Sequence, residues 1–450
     1  MITSLRVQSF KSWSDTRKLR LGKLTGFFGA NSSGKTGILQ LLLLLKQTAE
    51  SPDRSLALDL GQSWVAVDVG GWSDIVHRHE VDKELMVSLS WDLPRSLEIQ
   101  DPEDPHKNLL SSGALAFSTT IGSTNGGKLH VKELSYFFAD HTFVFARTDR
   151  GGYELRAEGP RGFEFRKAVG RPREALPPPV KCYGFPDQVR ASYQNAGFLF
   201  DFALAFEKLL GGVYYLGPLR AYPERRYAWR KDMPWDVGPQ GKLAVAALLA
   251  SREQGKKACW GRKTLEGHIA SWLRKLSLVE SFDIREVREG SSLYEVVVQV
   301  AKGGPKVALT DVGFGVSQIL PVLVLCFYAP EGSTIILEQP EIHLHPSVQM
   351  GLADVLIEAV EKRKVQIIVE SHSEYLLRRL QRRIAEDKIK AEESRLYFCR
   401  SEGGQSIAEP LNLDLYGYIT NWPEGFFGDE MTEVVEMTKA AQQRRARGQE

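Results

Sequence analysis

Eight residues near the start of the chain, Gly29-Ala30-Asn31-Ser32-Ser33-Gly34-Lys35-Thr36, follow the pattern GxxxxGK[ST]. These residue types at this spacing cradle phosphate. Backbone N–H groups of a glycine-permitted turn, together with the N-terminus of the helix that follows, surround an anion. The lysine reaches the outer phosphates, and the threonine hydroxyl takes a magnesium ion. An apolar run (Leu24–Phe28) precedes the pattern and a Leu-rich helical face from Gly34 to Leu45 follows it, which is the strand–loop–helix context this chemistry needs.

Three further groups carry chemistry. Thr334-Ile-Ile-Leu-Glu338-Gln339-Pro340-Glu341 reads as a buried strand with a polar end. A carboxylate ending a strand beside the phosphate loop holds Mg²⁺ in nucleotide hydrolases of this type, which nominates Glu338 together with Thr36 as metal ligands. The next position usually carries a general base. Here it is Gln339, whose neutral amide orients water but accepts no proton. Glu341 is the nearest alternative, and Gln339→Glu is expected to raise hydrolysis if the missing base limits it. His343 and His345 follow, without flanking ligands at zinc spacing. Asp311-Val-Gly313-Phe-Gly315-Val-Ser317-Gln318 opens an apolar helix, and glycines followed by serine at a helix N-terminus form a second anion-binding surface. Finally, Val365–Val369 ends in Glu370-Ser371-His372-Ser373-Glu374. That places His372 at a strand C-terminus, the edge where α/β proteins bind ligands. Ser373 suits a helix cap, with Glu374 in the first turn.

The elements that must position these groups follow from hydrophobic period. Ile2–Phe10 alternates like a strand. Met86–Leu155 breaks into short strands separated by Gly, Asn and Asp turns, an antiparallel β-subdomain. A Pro- and Arg-rich stretch, Val169–Val180, marks a loop or boundary. Helical patterns occupy Tyr193–Leu210, Lys242–Ser251 and Thr264–Leu276. From Phe282 strands and helices alternate, with helices at Gly315–Tyr328, Pro346–Arg363 and Ser373–Ile389 and strands at Thr334–Glu338, Val365–Val369 and Arg395–Cys399, which predicts a parallel sheet covered by helices. Residues after about Gln405 read as loop, closing with a helix at Glu430–Arg444. The expected organisation is a phosphate-loop lobe with the β-subdomain (1–160), a basic helical insert (161–275), a second catalytic lobe (276–405) and a tail (406–450).

Composition excludes several classes. The 450 residues are 43% hydrophobic and 25% charged, so the chain is globular rather than disordered. The net charge of +2 rules out a uniformly basic nucleic-acid binder. Residues 161–275 nevertheless hold 21 Lys and Arg against 10 Asp and Glu, interleaved with Tyr222, Tyr227, Trp229, Trp235, Trp260 and Trp272. That is either a phosphate-binding surface for DNA or RNA or a solvated face with arginines used internally. Cys182, Cys259, Cys326 and Cys399 form no CxxC pair, arguing against a zinc knuckle and a disulfide framework. The polar N-terminus and the lack of a 20-residue apolar run predict a cytoplasmic protein with no membrane contact.

In this order the four groups resemble the ATP-binding-cassette-like (ABC-like) ATPase heads of the SMC, RecF and OLD group. The chain is most similar to bacterial AAA-family ATPases whose C-terminus carries a family domain of unknown function. The carrying motifs are FGANSSGKT, YLGPLRAYPERRY (Tyr215–Tyr227), DVGFGVSQILPVL, ILEQPEIHLHP, ESHSEYLLRRL and GYITNWPEGFF (Gly417–Phe427). The resemblance implies an α/β fold, an ABC-ATPase-like P-loop head with a mixed sheet, an antiparallel β-subdomain and a helical insert. It implies ATP and Mg²⁺ as cofactors and a homodimer, or higher oligomer, with ATP sandwiched between heads. By the same resemblance Gly29–Thr36 would bind ATP in cis, while Gly313, Gly315, Ser317 and Gln318 would form the signature that meets the partner's nucleotide. It further implies that Glu338 helps hold Mg²⁺, that Gln339 stands at the water-activating position and that His372 senses the γ-phosphate. Arg220, Arg225 and Arg226 lie in a shared motif and are candidates for service at the nucleotide. Sustained heptads are absent between Lys35 and Gly313, which excludes long coiled-coil arms. Only 78 residues follow His372, too few for an appended nuclease domain. The expected role is a nucleotide switch acting on a separate effector, with anti-phage defence the setting in which such relatives occur. A RecF-like DNA-repair ATPase is the alternative.

Overall fold

The computed structural model describes residues 1–61, 67–100, 108–124, 127–160, 163–168, 175–253, 263–423, 426 and 435–442. Ile2–Phe10 is the first strand (β1), over the span its alternation predicts, with buried residues at Ile2, Leu5, Val7 and Phe10. Trp13–Asp15 (β2) and Leu19–Arg20 (β3) fold back on it, and Leu24–Gly29 (β4) leads into the phosphate loop. Helix α1 (Lys35–Glu50) follows, then a short α2 (Trp72–Ile75). Five strands come next: β5 (Leu85–Gln100), β6 (Asn108–Ser123), β7 (Leu129–Phe138), β8 (His141–Arg147) and β9 (Tyr153–Glu158).

The β-subdomain differs from expectation in two ways. Its first two strands are 16 residues each rather than short. Pro94 and Arg95 make β5 look interrupted in sequence, but they sit where the ladder to β6 slips register between Asp92 and Leu97. A proline is tolerated at such a bulge because the ladder there asks for no N–H. The subdomain is also continuous with the N-terminus, since β1 pairs with β5 and completes an eight-stranded antiparallel sheet.

The second half supplies α3 (Asp187–Ser192), α4 (Phe198–Gly211), β10 (Val213–Leu216), β11 (Tyr227–Ala228), α5 (Ala244–Glu253) and α6 (Leu265–Lys275). Strands β12 (Ser281–Glu286), β13 (Leu293–Gln299) and β14 (Lys306–Ala308) form a small antiparallel sheet with β11. The alternating part then runs α7 (Phe314–Tyr328), β15 (Thr334–Glu338), α8 (Pro346–Arg363), β16 (Gln366–Ser371), α9 (Glu374–Ala385), β17 (Ser394–Glu402) and β18 (Gln405–Pro410). Gln405–Pro410, expected as loop, is a strand. Gly403 and Gly404 both take positive φ and turn it back onto β17, antiparallel.

The central sheet has six strands in the order β10-β15-β16-β4-β17-β18, parallel apart from the last. Both faces are covered, so its strands read as continuous apolar runs. Alternation still sorts the side chains. Phe28, Leu216, Ile335, Leu337, Ile367 and Val369 enter one core with α5–α9. Phe27, Val213, Ile336, Ile368 and Tyr397 enter a second core with α1, α4 and the eight-stranded sheet. The stretch 161–275 therefore gives a strand, β10, directly to this sheet. With four residues between Gly212 and Gly217, that strand is too short to show a period. The tail packs onto the same core: Phe426 lies 6.5 Å from the Phe28 ring and 4.6 Å from Phe398, and Arg378 sits 4.4 Å over Trp422. Of the expected closing helix, residues 435–442 are helical and exposed. The rest of that helix, and Trp260 and Cys259, lie outside the described residues. No helix among the described residues is long and apolar enough to cross a membrane.

Candidate functional site

The phosphate loop is built by two positive-φ glycines. Gly29 (φ 138°) ends β4, and a Cβ there would run into the Cys399 carbonyl of β17. Gly34 (φ 88°) precedes α1, and a Cβ there would strike the hydroxyls of Ser406 and Ser12. Trp13 Nε1 donates to the Gly34 carbonyl at 3.0 Å, fixing the turn. Ala30, Asn31 and Ser32 are exposed at the mouth, whereas Ser33 and Lys35 are buried. Lys35 Nζ donates to the carbonyls of Gly29 (3.0 Å) and Ala30 (2.7 Å) and to Ser33 Oγ (3.3 Å). Burial lowers its pKa, opposed by Glu370. Its ammonium is thus held inside the loop curve by carbonyls that a phosphate would replace. Gly34→Ala combines a left-handed backbone with a steric clash. It is expected to cost about 2 kcal/mol or more of stability, read as a lower midpoint in chemical denaturation.

The carboxylates are arranged differently from the linear reading. The strand beside β4 is β16, the one that ends at His372, and β15 with Glu338 lies one strand further out. Pairing order cannot be read from chain order, and this crossover corrects the placement of Glu338 next to the loop. The register puts Glu338 opposite Glu370. Thr36 Oγ1 donates to Glu370 Oε2 at 2.9 Å. Gln339 donates its side-chain amide to the same carboxylate, and its backbone N–H to the Glu370 carbonyl at 2.9 Å. Glu338 instead takes a hydrogen bond from the Tyr215 hydroxyl. Glu370 is therefore the carboxylate that sequence reasoning missed. Its signal was there, an acid two residues before His372 on an otherwise apolar strand.

All three acids are buried, Glu338, Glu341 and Glu370 alike. Burial pushes the Glu338 pKa up to about 7, aided by the Glu370 charge and opposed by Tyr215. Burial also raises Glu341 and Glu370. Glu341 Oε1 accepts from the His372 backbone N–H at 2.7 Å, which ties the end of β16 to the turn after β15. The His372 ring donates to the Gly29 carbonyl, while burial and then Lys35 lower its pKa. Gln339, His372 and the phosphate loop thus meet at one edge of the sheet. Gln339 takes φ 43°, a left-handed conformation held by its bonds to Glu370 and by Arg220.

Arg220 comes from the segment after β10. Its Nη2 donates to the carbonyls of Glu338 (3.3 Å) and Gln339 (3.2 Å). Burial brings its pKa down to about 10 against the pull of Glu341. Its Nε and Nη1, and Glu341 Oε2, are buried without a partner. Buried polar atoms left open in this way suit a site that a ligand completes. Anionic phosphates fit the free guanidinium face, and a divalent cation fits Thr36 with the paired acids. Among the described residues no three His, Cys, Asp or Glu converge as a metal cage. Mg²⁺ needs no such cage, because it is usually held by one or two carboxylates plus phosphates and water.

The signature residues lie on the turn that opens α7. Gly313 caps α7, Gly315 is open toward Leu278, and Ser317 Oγ donates to the Phe314 carbonyl at 2.9 Å. Ser317 and Gln318 are buried and Phe314 is 55% exposed. Arg225 holds the turn from outside through a two-pronged pair with Asp311 (2.6 and 3.2 Å), and Tyr222 stacks edge-on to Phe314. His345 is a helix cap, accepting from Ser347 N–H, and His343 packs on the Phe314 ring. Ser373 caps α9 through the Leu376 N–H as the spacing predicts. Many basic groups of 161–275 have internal partners, including Lys181 with the Ala49 and Ser51 carbonyls and Arg252 with Glu266.

Family models match two parts of the chain. Residues 191–378 match the family described as "AAA domain, putative AbiEii toxin, Type IV TA system". Residues 389–437 match "Protein of unknown function (DUF3696)". Similar solved structures include an SMC head bound to the C-winged helix domain of ScpA (12% identity, 92% of this chain and 98% of that chain, TM-score 0.47). Another is the Smc head domain with an extended coiled coil bound to the C-terminal domain of ScpA, from Pyrococcus furiosus (12% identity, 97% and 99%, TM-score 0.45). A third is the SMC head domain from Thermotoga maritima (11% identity, 91% and 99%, TM-score 0.38). No curated protein matches the chain.

Proposed function

We propose that this chain, which joins an AAA domain to a DUF3696 segment, is an ATP-binding, dimerising ATPase switch that controls a separate effector. The supporting observation is the phosphate loop, with Lys35 and Thr36 facing Glu370, Gln339 and His372 at one sheet edge. Gly29–Thr36 would hold the phosphates, and Thr36 with Glu370 and Glu338 would hold Mg²⁺, which would supply charge neutralisation on the phosphate oxygens. Gly313, Gly315, Ser317 and Gln318 sit at the N-terminus of α7, with Gly313 and Phe314 exposed there. That suits contact with the nucleotide of a second copy. Hydrolysis is slow, because the residue next to Glu338 is an amide. The toxin–antitoxin wording of the matched AAA family favours a defence setting.

The test is mass with and without ATP and Mg²⁺, alongside turnover. A doubling of mass with ATP at low turnover is expected. Fast turnover at constant mass overturns the sandwich. The excess of 21 Lys and Arg over 10 Asp and Glu in 161–275 favours a second reading, DNA contact in the manner of a repair ATPase. ATP-dependent duplex binding that falls steeply with salt would select it.

A further inference from the structure

Two sheets end side by side behind the phosphate loop. Strand β2 is the free edge of the eight-stranded sheet and β18 the free edge of the six-stranded one. They touch at a clasp. Ser406 N–H donates to the Ser12 carbonyl at 2.8 Å, the Ser406 and Ser12 hydroxyls bond at 2.7 Å, and Ser14 Oγ donates to Gln405 Oε1 at 2.6 Å. Beyond the clasp the edges diverge around a cleft of about 1000 Å³. Hydrogen bonding alternates along a strand. Ser406 N–H points away from β17, so Ala408 turns its N–H and C=O the same way, into the cleft, whereas Pro410 has no N–H and its C=O accepts from Asn421 Nδ2 at 2.9 Å.

The cleft is electropositive. Its acids Asp15 and Glu409 are neutralised by Arg6 and Arg400. Arg17, Lys18, Arg20 and Arg395 line it with no ion-pair partner among the described residues. We infer that this cleft docks an extended acidic segment of a partner protein, which pairs its backbone with Ala408 at the β18 edge and sets its carboxylates against Arg17, Lys18, Arg20 and Arg395. Open sheet edges are completed by peptide backbone, and the unpaired cations select the side chains. A single-stranded nucleic acid needs exposed rings for stacking. The aromatic side chain here, Tyr397, is buried, with its hydroxyl bonded to the Arg20 backbone.

The clasp is also the back wall of the phosphate loop. The Ser12 and Ser406 hydroxyls stand where a Gly34 Cβ would be, and Trp13 of β2 holds the Gly34 carbonyl. A strand seated on β18 therefore bears on Gly34, and docking and nucleotide change each other's affinity by the same factor. This coupling rests on ATP binding at the loop; the docking itself does not.

The test is selection of a random 12-residue peptide display library on the full chain, without nucleotide and then with ATP and Mg²⁺. Enriched peptides are expected to carry two or more Asp or Glu alternating with β-branched residues. Synthetic copies should bind R17E/K18E/R20E at least tenfold more weakly. The Ala408→Pro variant removes only the N–H aimed into the cleft, and a similar loss is expected there. Melting temperatures of both variants serve as the fold control. No enriched acidic class, or equal binding to both variants, overturns the docking site. Binding of a 20-nucleotide oligo(dT) that R17E/K18E/R20E abolishes, with acidic peptides inert, makes the occupant nucleic acid and also overturns it. Peptide binding that persists but ignores ATP overturns the coupling alone. Peptide binding that persists in a chain showing no ATP affinity refutes the nucleotide reading and leaves the docking site standing.

Discussion

Lys35→Ala is expected to weaken ATP binding by roughly 10- to 100-fold, with the nucleotide-free fold retained. A charge-assisted bond to phosphate contributes about 1.5–3 kcal/mol, and each 1.4 kcal/mol is tenfold. Lys35 is the cation that the loop encloses, bonded to Gly29 and Ala30 carbonyls at 3.0 and 2.7 Å. No second lysine or arginine of the loop shares its place. Titration calorimetry with ATP and Mg²⁺ reads the loss, and a melting curve separates it from unfolding. Retained affinity in a folded variant means that the loop is a turn with an incidental lysine, and the nucleotide reading falls with it.

The second large effect belongs to Glu370. A carboxylate that helps hold Mg²⁺ beside the phosphates supports transition-state charge stabilisation worth several kcal/mol. Gln339 carries no charge, whereas Glu370 accepts hydrogen bonds from both Thr36 and the Gln339 amide. Glu370→Gln is expected to lower turnover about 100-fold while changing ATP affinity less than tenfold. Gln339→Glu alone sets a second carboxylate against Glu370, and like charges there disfavour ionisation of either acid. Gln339→Glu alone is therefore expected to raise turnover less than its place beside Glu338 implies. The double variant Gln339→Glu with Glu370→Gln exchanges the two groups and is expected to recover most of the rate. Single-turnover hydrolysis in all four proteins closes the cycle. Unchanged turnover in Glu370→Gln points to Glu341 or to a later limiting step.

Short-range patterns were legible in the sequence because each is a local steric or periodic constraint. The GxxxxGK[ST] loop, the strand Ile2–Phe10 and the helix Pro346–Arg363 appear where the residues put them. So does the Ser373 cap. Glycine at positions 29 and 34 marks backbone conformations that few other residues adopt, and the periods of 2 and 3.6 mark which faces are buried.

Strand order was not legible, because pairing partners are chosen by long-range packing. The insertion of β16 between β4 and β15 gave Glu370, rather than Glu338, the hydrogen bond from Thr36. Arg220 was legible only as a basic residue. Its burial over the Glu338 and Gln339 carbonyls depends on β10 joining the sheet. Gln405–Pro410 read as loop because an edge strand is half solvated and its alternation is weak. The sequence by itself determined that the chain carries a GxxxxGK[ST] loop between a strand and a helix, and strands that end in acids and a histidine. Only the tertiary structure decided which carboxylate faces the loop and which sheet edges are left open, since both depend on hydrogen bonds between segments more than 300 residues apart, such as Thr36–Glu370 and Ser12–Ser406.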